Sequence, residues 1–104
     1  MKRQTITILG TAQCIDIEAK WDTGADRSAM DYKTAAKVGA GPVVKSVKTN
    51  QVSGSERRPV VPVWFNIDGH RQRVKVGLSD RENMSTAVLL GGDVIGKLGE
   101  VPFA

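Results

Sequence analysis

Asp22-Thr23-Gly24-Ala25 is the tetrapeptide of this chain best suited to chemistry. A carboxylate can take a proton as general base or, once protonated, give one back as general acid. Gly24 lets the backbone turn sharply and lets a second backbone approach closely. Thr23 brings a hydroxyl that can lock the turn, and Ala25 leaves room beside the carboxylate. Taken alone, the tetrapeptide is also an ordinary turn of any β protein. A second stretch stands late in the chain, Val88-Leu89-Leu90-Gly91-Gly92-Asp93. Apolar-apolar-Gly is what a strand needs to pass directly behind an Asp-bearing loop; the plain alternative is a core strand followed by a helix cap. Arg57, Arg58 and Arg81 are candidates for holding substrate carboxylates, because the planar guanidinium pairs with a carboxylate through two parallel bonds. Their plain alternative is solvent exposure or pairing with Glu56, Asp80 or Glu82.

The elements that must position these residues follow from hydrophobic periodicity. Thr5–Leu9 alternates with Ile6 and Ile8 on one face. Ile15, Ile17, Ala19 and Trp21 share one face of the clearest period-2 run, and that strand delivers Asp22 to its end. Arg27–Met30 resumes extended structure. Asp31 caps a short helix over Tyr32–Val38, with Gly39 as its stop. Val43–Thr49 reads as a strand, and the polar stretch Asn50–Arg58 as a long, mobile hairpin tip. Pro59 and Pro62 demote the start of the next strand to an edge. Val63, Phe65 and Ile67 then alternate, so Trp64 and Phe65 face opposite sides. Asp68-Gly69 is a two-residue hairpin turn, with His70 beside it at the surface, and Arg71–Leu78 returns. Ser79–Ser85 is a polar loop. Ala87–Leu90 is a strand buried on both faces, and Asp93 caps a final helix over Val94–Leu98. The tail Gly99–Ala104 is apolar enough to join a sheet. These elements describe one all-β domain over residues 1–104, a small barrel or folded sheet with one or two short helices.

The chain has 104 residues and a formal charge of +4, which suits an acidic partner. The basic residues are scattered, with small clusters at Arg57-Arg58 and His70–Lys75, and a solvated surface accounts for most of them. Cys14 is the one cysteine; an intrachain disulfide is excluded and a reducing compartment fits. It heads a strand and is expected to be partly buried. Met1-Lys2-Arg3 is basic, but Thr5 and Thr7 interrupt the run behind it, and Gln13 before Cys14 spoils a lipoprotein-type cleavage site. No stretch could span a membrane as a helix. The expected setting is the cytoplasm, with no membrane partner.

Asp22-Thr23-Gly24-Ala25, the Gly54-containing hairpin, and Leu89-Leu90-Gly91 followed by a helix, in that order, resemble the retropepsin-like aspartic proteases. The resemblance spans roughly residues 5–98. It implies a small acid-protease barrel and a homodimer in which each subunit supplies one catalytic Asp22. Thr23, Gly24 and Ala25 would support it. A flap hairpin over about 44–65 would have Ser53, Gly54 and Ser55 at its tip and close over a bound peptide. A narrower match runs through Asp22–Ala29, Glu56–Val61 and Leu78–Met84. It looks like a bacterial and archaeal subfamily labelled ATP-dependent zinc proteases. That subfamily is associated with ATP-grasp glutamate ligases, and some relatives trim the glutamate tails such ligases add. An acidic peptide substrate would suit the positive charge.

The label fits the residues poorly. One His and one Cys are too few for a zinc site, and Gly91-Gly92-Asp93 lacks the Lys-Ser/Thr of a phosphate-binding loop. No metal and no cofactor are expected. The resemblance also departs from its pattern. Gly92 stands where an Arg is usual and Arg27 where the acid that pairs with it is expected, so both halves of that ion pair read as altered. Trp21 is bulkier than usual before the Asp. Two further readings compete. One is a catalytically inactive peptide-binding module on the same fold. The other is a basic barrel that binds nucleic acid, which five aromatics serve poorly, since a single-strand reader needs stacking platforms; no nucleic-acid partner is expected.

Overall fold

In a computed structural model, residues 2–51 and 54–98 are described. β1 (Arg3–Leu9) and β2 (Cys14–Trp21) form an antiparallel ladder running from Arg3↔Lys20 to Leu9↔Cys14. The alternation is why they pair with this register. Ile6 and Ile8 from one strand and Ala19 and Trp21 from the other turn inward, and a one-residue slip would expose all four. β3 (Ala29–Asp31) leads straight into α1 (Tyr32–Val38). Asp31 caps that helix by accepting from Lys33 N, and Gly39 ends it in the left-handed region at φ 74°.

β4 (Lys45–Gln51) and β5 (Gly54–Ile67) make a long ribbon, and β5 continues into a second hairpin with β6 (His70–Ser79). Asp68 and Gly69 both have positive φ, as the expected tight turn requires. The polar stretch before Pro59 is not the long loop expected. β4 and β5 stay paired out to Gln51↔Gly54. A two-stranded ribbon attached outside the barrel wall needs no apolar alternation, so its pattern is silent. The prolines behave as edge residues. Pro59 faces only β4, and Pro62 lies in the gap between the end of the β4 ladder at Val60 and the start of the β1 ladder at Trp64.

β7 (Val88–Leu90) and α2 (Gly92–Leu98) complete the described chain. The sheet runs β1-β2-β7-β3-β6-β5 and closes back on β1 through Thr7↔Asn66, Ile8↔Phe65 and Leu9↔Trp64, with β4 attached outside the ring. The result is a six-stranded barrel with two short helices. Trp21, Met30, Phe65, Val76 and Leu90 meet inside it and are fully buried. Each such side chain contributes about 1.5–3 kcal/mol by leaving water. Ser53 and the Gly99–Ala104 tail lie outside the described residues. Among the described residues, no helix is long and apolar enough to cross a membrane.

One feature of the topology sets the site. β7 is parallel to β2 (Ala19↔Val88 to Trp21↔Leu90) and antiparallel to β3 (Ala29↔Leu89, Met30↔Val88). It is therefore inserted between the two arms of the segment that carries Asp22. Val88 and Leu90 are buried as expected, while Leu89 is half-buried rather than enclosed.

Candidate active site

β2 ends at Trp21, whose indole is buried and donates from Nε1 to Gln4 Oε1 at 3.0 Å. Asp22 follows at the barrel rim. Its N–H donates to Leu90 O at 2.8 Å, which extends the β2–β7 pairing by one residue. The chain then turns. Gly24 N donates to Asp22 Oδ1 at 3.0 Å, and Ala25 N donates to Asp22 O at 3.2 Å. The carboxylate thus braces its own turn with one oxygen, and the side chain stays partly open to solvent. Thr23 and Gly24 are exposed beside it.

The far side of this loop is fastened to the end of β7. Gly92 N donates to Ala25 O at 2.7 Å and Asp93 N to Asp26 O at 3.2 Å. Ser28, buried to 1% exposure, bridges the two segments. Its hydroxyl donates to Asp93 Oδ1 at 2.7 Å and accepts from Gly91 N at 3.0 Å, while its backbone N–H donates to the Asp93 carboxylate at 3.1 Å. Gly91 must be glycine. A Cβ there would lie 2.7 Å from Ala25 O and 2.9 Å from the Arg27 carbonyl carbon.

Two expectations need correction here. Asp93 does not sit ahead of α2 as its cap; the helix begins at Gly92, and the carboxylate accepts from Val94 N and from Ser28. The acid half of the expected ion pair is also present, because Asp26, not Arg27, directly follows Ala25. Only the Arg is missing, at Gly92. Ser28 escaped the sequence reading. A serine beside Ala29 and Met30 looks like strand filler, and its partners lie more than sixty residues away.

The candidate arginines are not gathered at one point. Arg57 is exposed on β5 and donates from Nε to Ser46 Oγ across the ribbon at 3.2 Å. Arg58 lies 3.7 Å from Glu56 Oε1, an ion-pair distance too long for a hydrogen bond. Its Nε is covered and has no hydrogen-bond partner. Arg81 is half-buried and donates from Nε to Thr86 O at 3.1 Å, while its backbone N–H donates to Asp31 Oδ1 at 2.7 Å. Burial pulls Arg81 below the ordinary arginine value; Asp31 opposes that shift and Arg58 adds to it. What the fold does gather is Arg58 with Arg27 and Lys48. These three line a cleft of about 310 Å³ between the β4–β5 ribbon and the segment that follows the Asp22 loop, together with Ser28, Ala29 and Thr49. Gly54 and Ser55 begin β5 at the ribbon's end, Gly54 with φ 130°.

His70 is exposed beside its turn, and Cys14 is exposed rather than partly buried, because it opens β2 on the outer face. Among the described residues, no group of three His, Cys, Asp or Glu stands close enough to hold a metal ion. A zinc ion therefore does not fit these residues.

No family model and no curated protein matches the chain. Solved structures do. An EIAV protease in complex with the inhibitor HBY-793 superimposes with a TM-score of 0.75 at 20% identity, over 96% of this chain and 89% of that one. The protease of simian foamy virus (mac) gives 0.69 at 19% identity, over 97% and 99%. A Legionella pneumophila protein of unknown function gives 0.62 at 18% identity, over 93% and 87%. At these identities the likeness concerns architecture: the chain has the retropepsin-like barrel found in retroviral and foamy-virus proteases.

Proposed function

We propose that this chain is one half of a homodimeric aspartic peptidase, with Asp22 as its catalytic residue. The observation that carries the reading is the bracing of the Asp22 turn. A partly exposed carboxylate at a strand end is held from behind by β7 through Leu90, Gly91 and Gly92. Ordinary turns do not need a buried serine bridge and a second strand threaded between their arms.

One carboxylate cannot both activate water and protonate a carbonyl. Two copies facing each other across a twofold axis would bring two Asp22 side chains together. Like charges about 3 Å apart repel by roughly 5 kcal/mol at an effective dielectric of about 20, so such a pair holds one proton between its members. The ionised Asp22 draws a proton from a bound water, and the water attacks the scissile carbonyl. The protonated Asp22 donates to the carbonyl oxygen, and a proton then passes to the leaving nitrogen. Thr23 of each copy holds the two loops across the axis. The β4–β5 ribbon, with Gly54 and Ser55 at its described end, closes over the peptide and excludes water.

The substrate side is acidic in this reading. Arg27, Lys48 and Arg58 present three cations to one cleft, a setting that suits a carboxylate. Arg57 and Arg81 add to the positive charge on this side of the chain. Residues 22–29, 56–61 and 78–84 fit the subfamily linked to glutamate ligases, so trimming of glutamate-rich tails in the cytoplasm is the finer proposal.

The test compares glutamate-rich and neutral peptides with the wild type and with Asp22→Asn. Cleavage of the acidic peptide should fall by at least about 10³-fold in the variant, while its melting temperature and sedimentation stay unchanged. Arg58→Ala should raise KM for the acidic peptide and leave the neutral one alone. Peptide binding without cleavage by the wild type would leave the inactive binding module as the correct reading.

A further inference from the structure

The outer face of the barrel carries a second surface, centred on Trp64 rather than on the Asp22 loop. β6 turns Arg71, Arg73 and Lys75 outward at every second residue, because Gln72, Val74 and Val76 point in. On the neighbouring strand Trp64 stands opposite Arg73 and is 48% exposed, while its neighbours Val63 and Phe65 are buried. An exposed tryptophan on a small barrel that has enclosed its other tryptophan calls for a partner. Two concavities flank it. One, of about 280 Å³, is walled by Gly10, Gly41, Pro42, Pro62 and Val63, with Arg73 at its edge. The other, of about 370 Å³, is formed by Leu9, Cys14 and Arg71. Asp16, further along the sheet, already accepts from Thr7 Oγ1 at 2.7 Å.

We propose that this face docks an acidic protein segment that carries apolar side chains. The concavities beside Trp64 take the apolar side chains, and Arg71, Arg73 and Lys75 hold the carboxylates. Tryptophan and arginine are the residues that most often dominate binding energy at protein interfaces. Nucleic acid is disfavoured by the same face: Trp64 is its one aromatic among the described residues, so successive bases would find no continuing platform. The Trp64–Cys14 end of this surface lies away from the Asp22 rim, whereas its Lys75 end adjoins the Asp22 segment, where Arg27 donates to Lys75 O at 3.4 Å. Cys14 opens β2 and Asp22 follows its other end, roughly 25 Å along the strand. The inference therefore stands whether or not the chain cleaves peptides.

Two built-in probes make it testable. Trp21 is fully buried, so acrylamide quenching of tryptophan fluorescence reports Trp64. Cys14 is the chain's sole thiol and rims one concavity, so a bulky maleimide can block that concavity alone. The experiment titrates the intact protein with three probes: a short peptide alternating Glu and Leu, one alternating Lys and Leu, and a single-stranded oligonucleotide of similar length. The expected result is that the Glu-Leu peptide protects Trp64 from quenching. Followed by the fluorescence anisotropy of a dye on each probe, which also serves the variant lacking Trp64, binding should weaken at least about tenfold in Trp64→Ala and in Arg71→Ala/Arg73→Ala, and on maleimide labelling. It should persist in Asp22→Asn and in Arg58→Ala. A preference for the oligonucleotide would overturn the proposal, as would equal binding of both peptides. Binding lost with Arg58→Ala but kept in Trp64→Ala would return the acidic segment to the Arg27–Lys48–Arg58 cleft. Circular dichroism of each variant separates loss of binding from loss of fold.

Discussion

Ser28 and Gly91 decide whether the Asp22 turn keeps its shape. Removing the Ser28 hydroxyl takes away one donor to the Asp93 carboxylate and the acceptor for Gly91 N, all in a buried place. Ser28→Ala should therefore cost about 1–3 kcal/mol, the usual penalty for stranding buried polar partners, seen as a lower midpoint in urea unfolding. Gly91→Ala should be no milder. Its methyl group meets backbone atoms of the Asp22 loop, which cannot rotate aside as a side chain could. A loss of about 1–3 kcal/mol is expected from such overpacking, and peptidase activity should fall further than stability because the loop that carries Asp22 must shift. Equal activity per folded molecule in Gly91→Ala would contradict the placing of Asp22 by β7. The Asp-Thr-Gly-Ala corner and the late apolar-Gly strand were legible from residue type. The Ser28–Asp93 bridge was not, because a hydroxyl and a carboxylate this far apart in sequence carry no pattern linking them.

At the scale of elements, Asp31 ties three pieces together. It ends β3, caps α1 through Lys33 N, and accepts from Arg81 N in the loop before β7. Asp31→Ala should remove a helix cap, leave the Arg81 amide without its acceptor, and withdraw the charge that offsets the burial of Arg81. A loss of about 2–4 kcal/mol follows from the sum of these effects. Asp31→Asn should lose less, since its amide oxygen still caps the helix. Thermal unfolding of the two variants in parallel checks the order. The cap was readable in the sequence, where Asp precedes Tyr32–Val38 and Gly39 closes it. The Arg81 loop was not, and Arg81 consequently looked free to meet a substrate. Its Nε is instead committed to Thr86 O. The β4–β5 ribbon failed for a different reason. The face it turns toward the Asp22 segment carries Thr49 and Arg58 rather than an apolar series, so nothing in the order of residues distinguishes a paired ribbon from a loop.

At the scale of the whole molecule, periodicity reported strands but not their neighbours. Val88–Leu90 announces a buried strand; that it runs between β2 and β3 is a long-range fact that alternation does not encode. Charge, by contrast, is fully legible, and it yields a prediction with two opposite signs. Each chain carries +4, so the two copies of the proposed dimer would repel one another, and salt would screen that repulsion. In the proposed reading the Arg27–Lys48–Arg58 cleft attracts an acidic peptide, and salt would weaken that attraction. Activity per chain should therefore fall on dilution, as the dimer separates. Added salt should move that fall to lower protein concentration while raising KM for glutamate-rich peptides. Sedimentation read alongside a dilution series at low and high salt measures both trends. Constant activity per chain across a range in which sedimentation shows only monomer would refute the two-copy site. A KM indifferent to salt would refute the cationic cleft and leave the dimer standing.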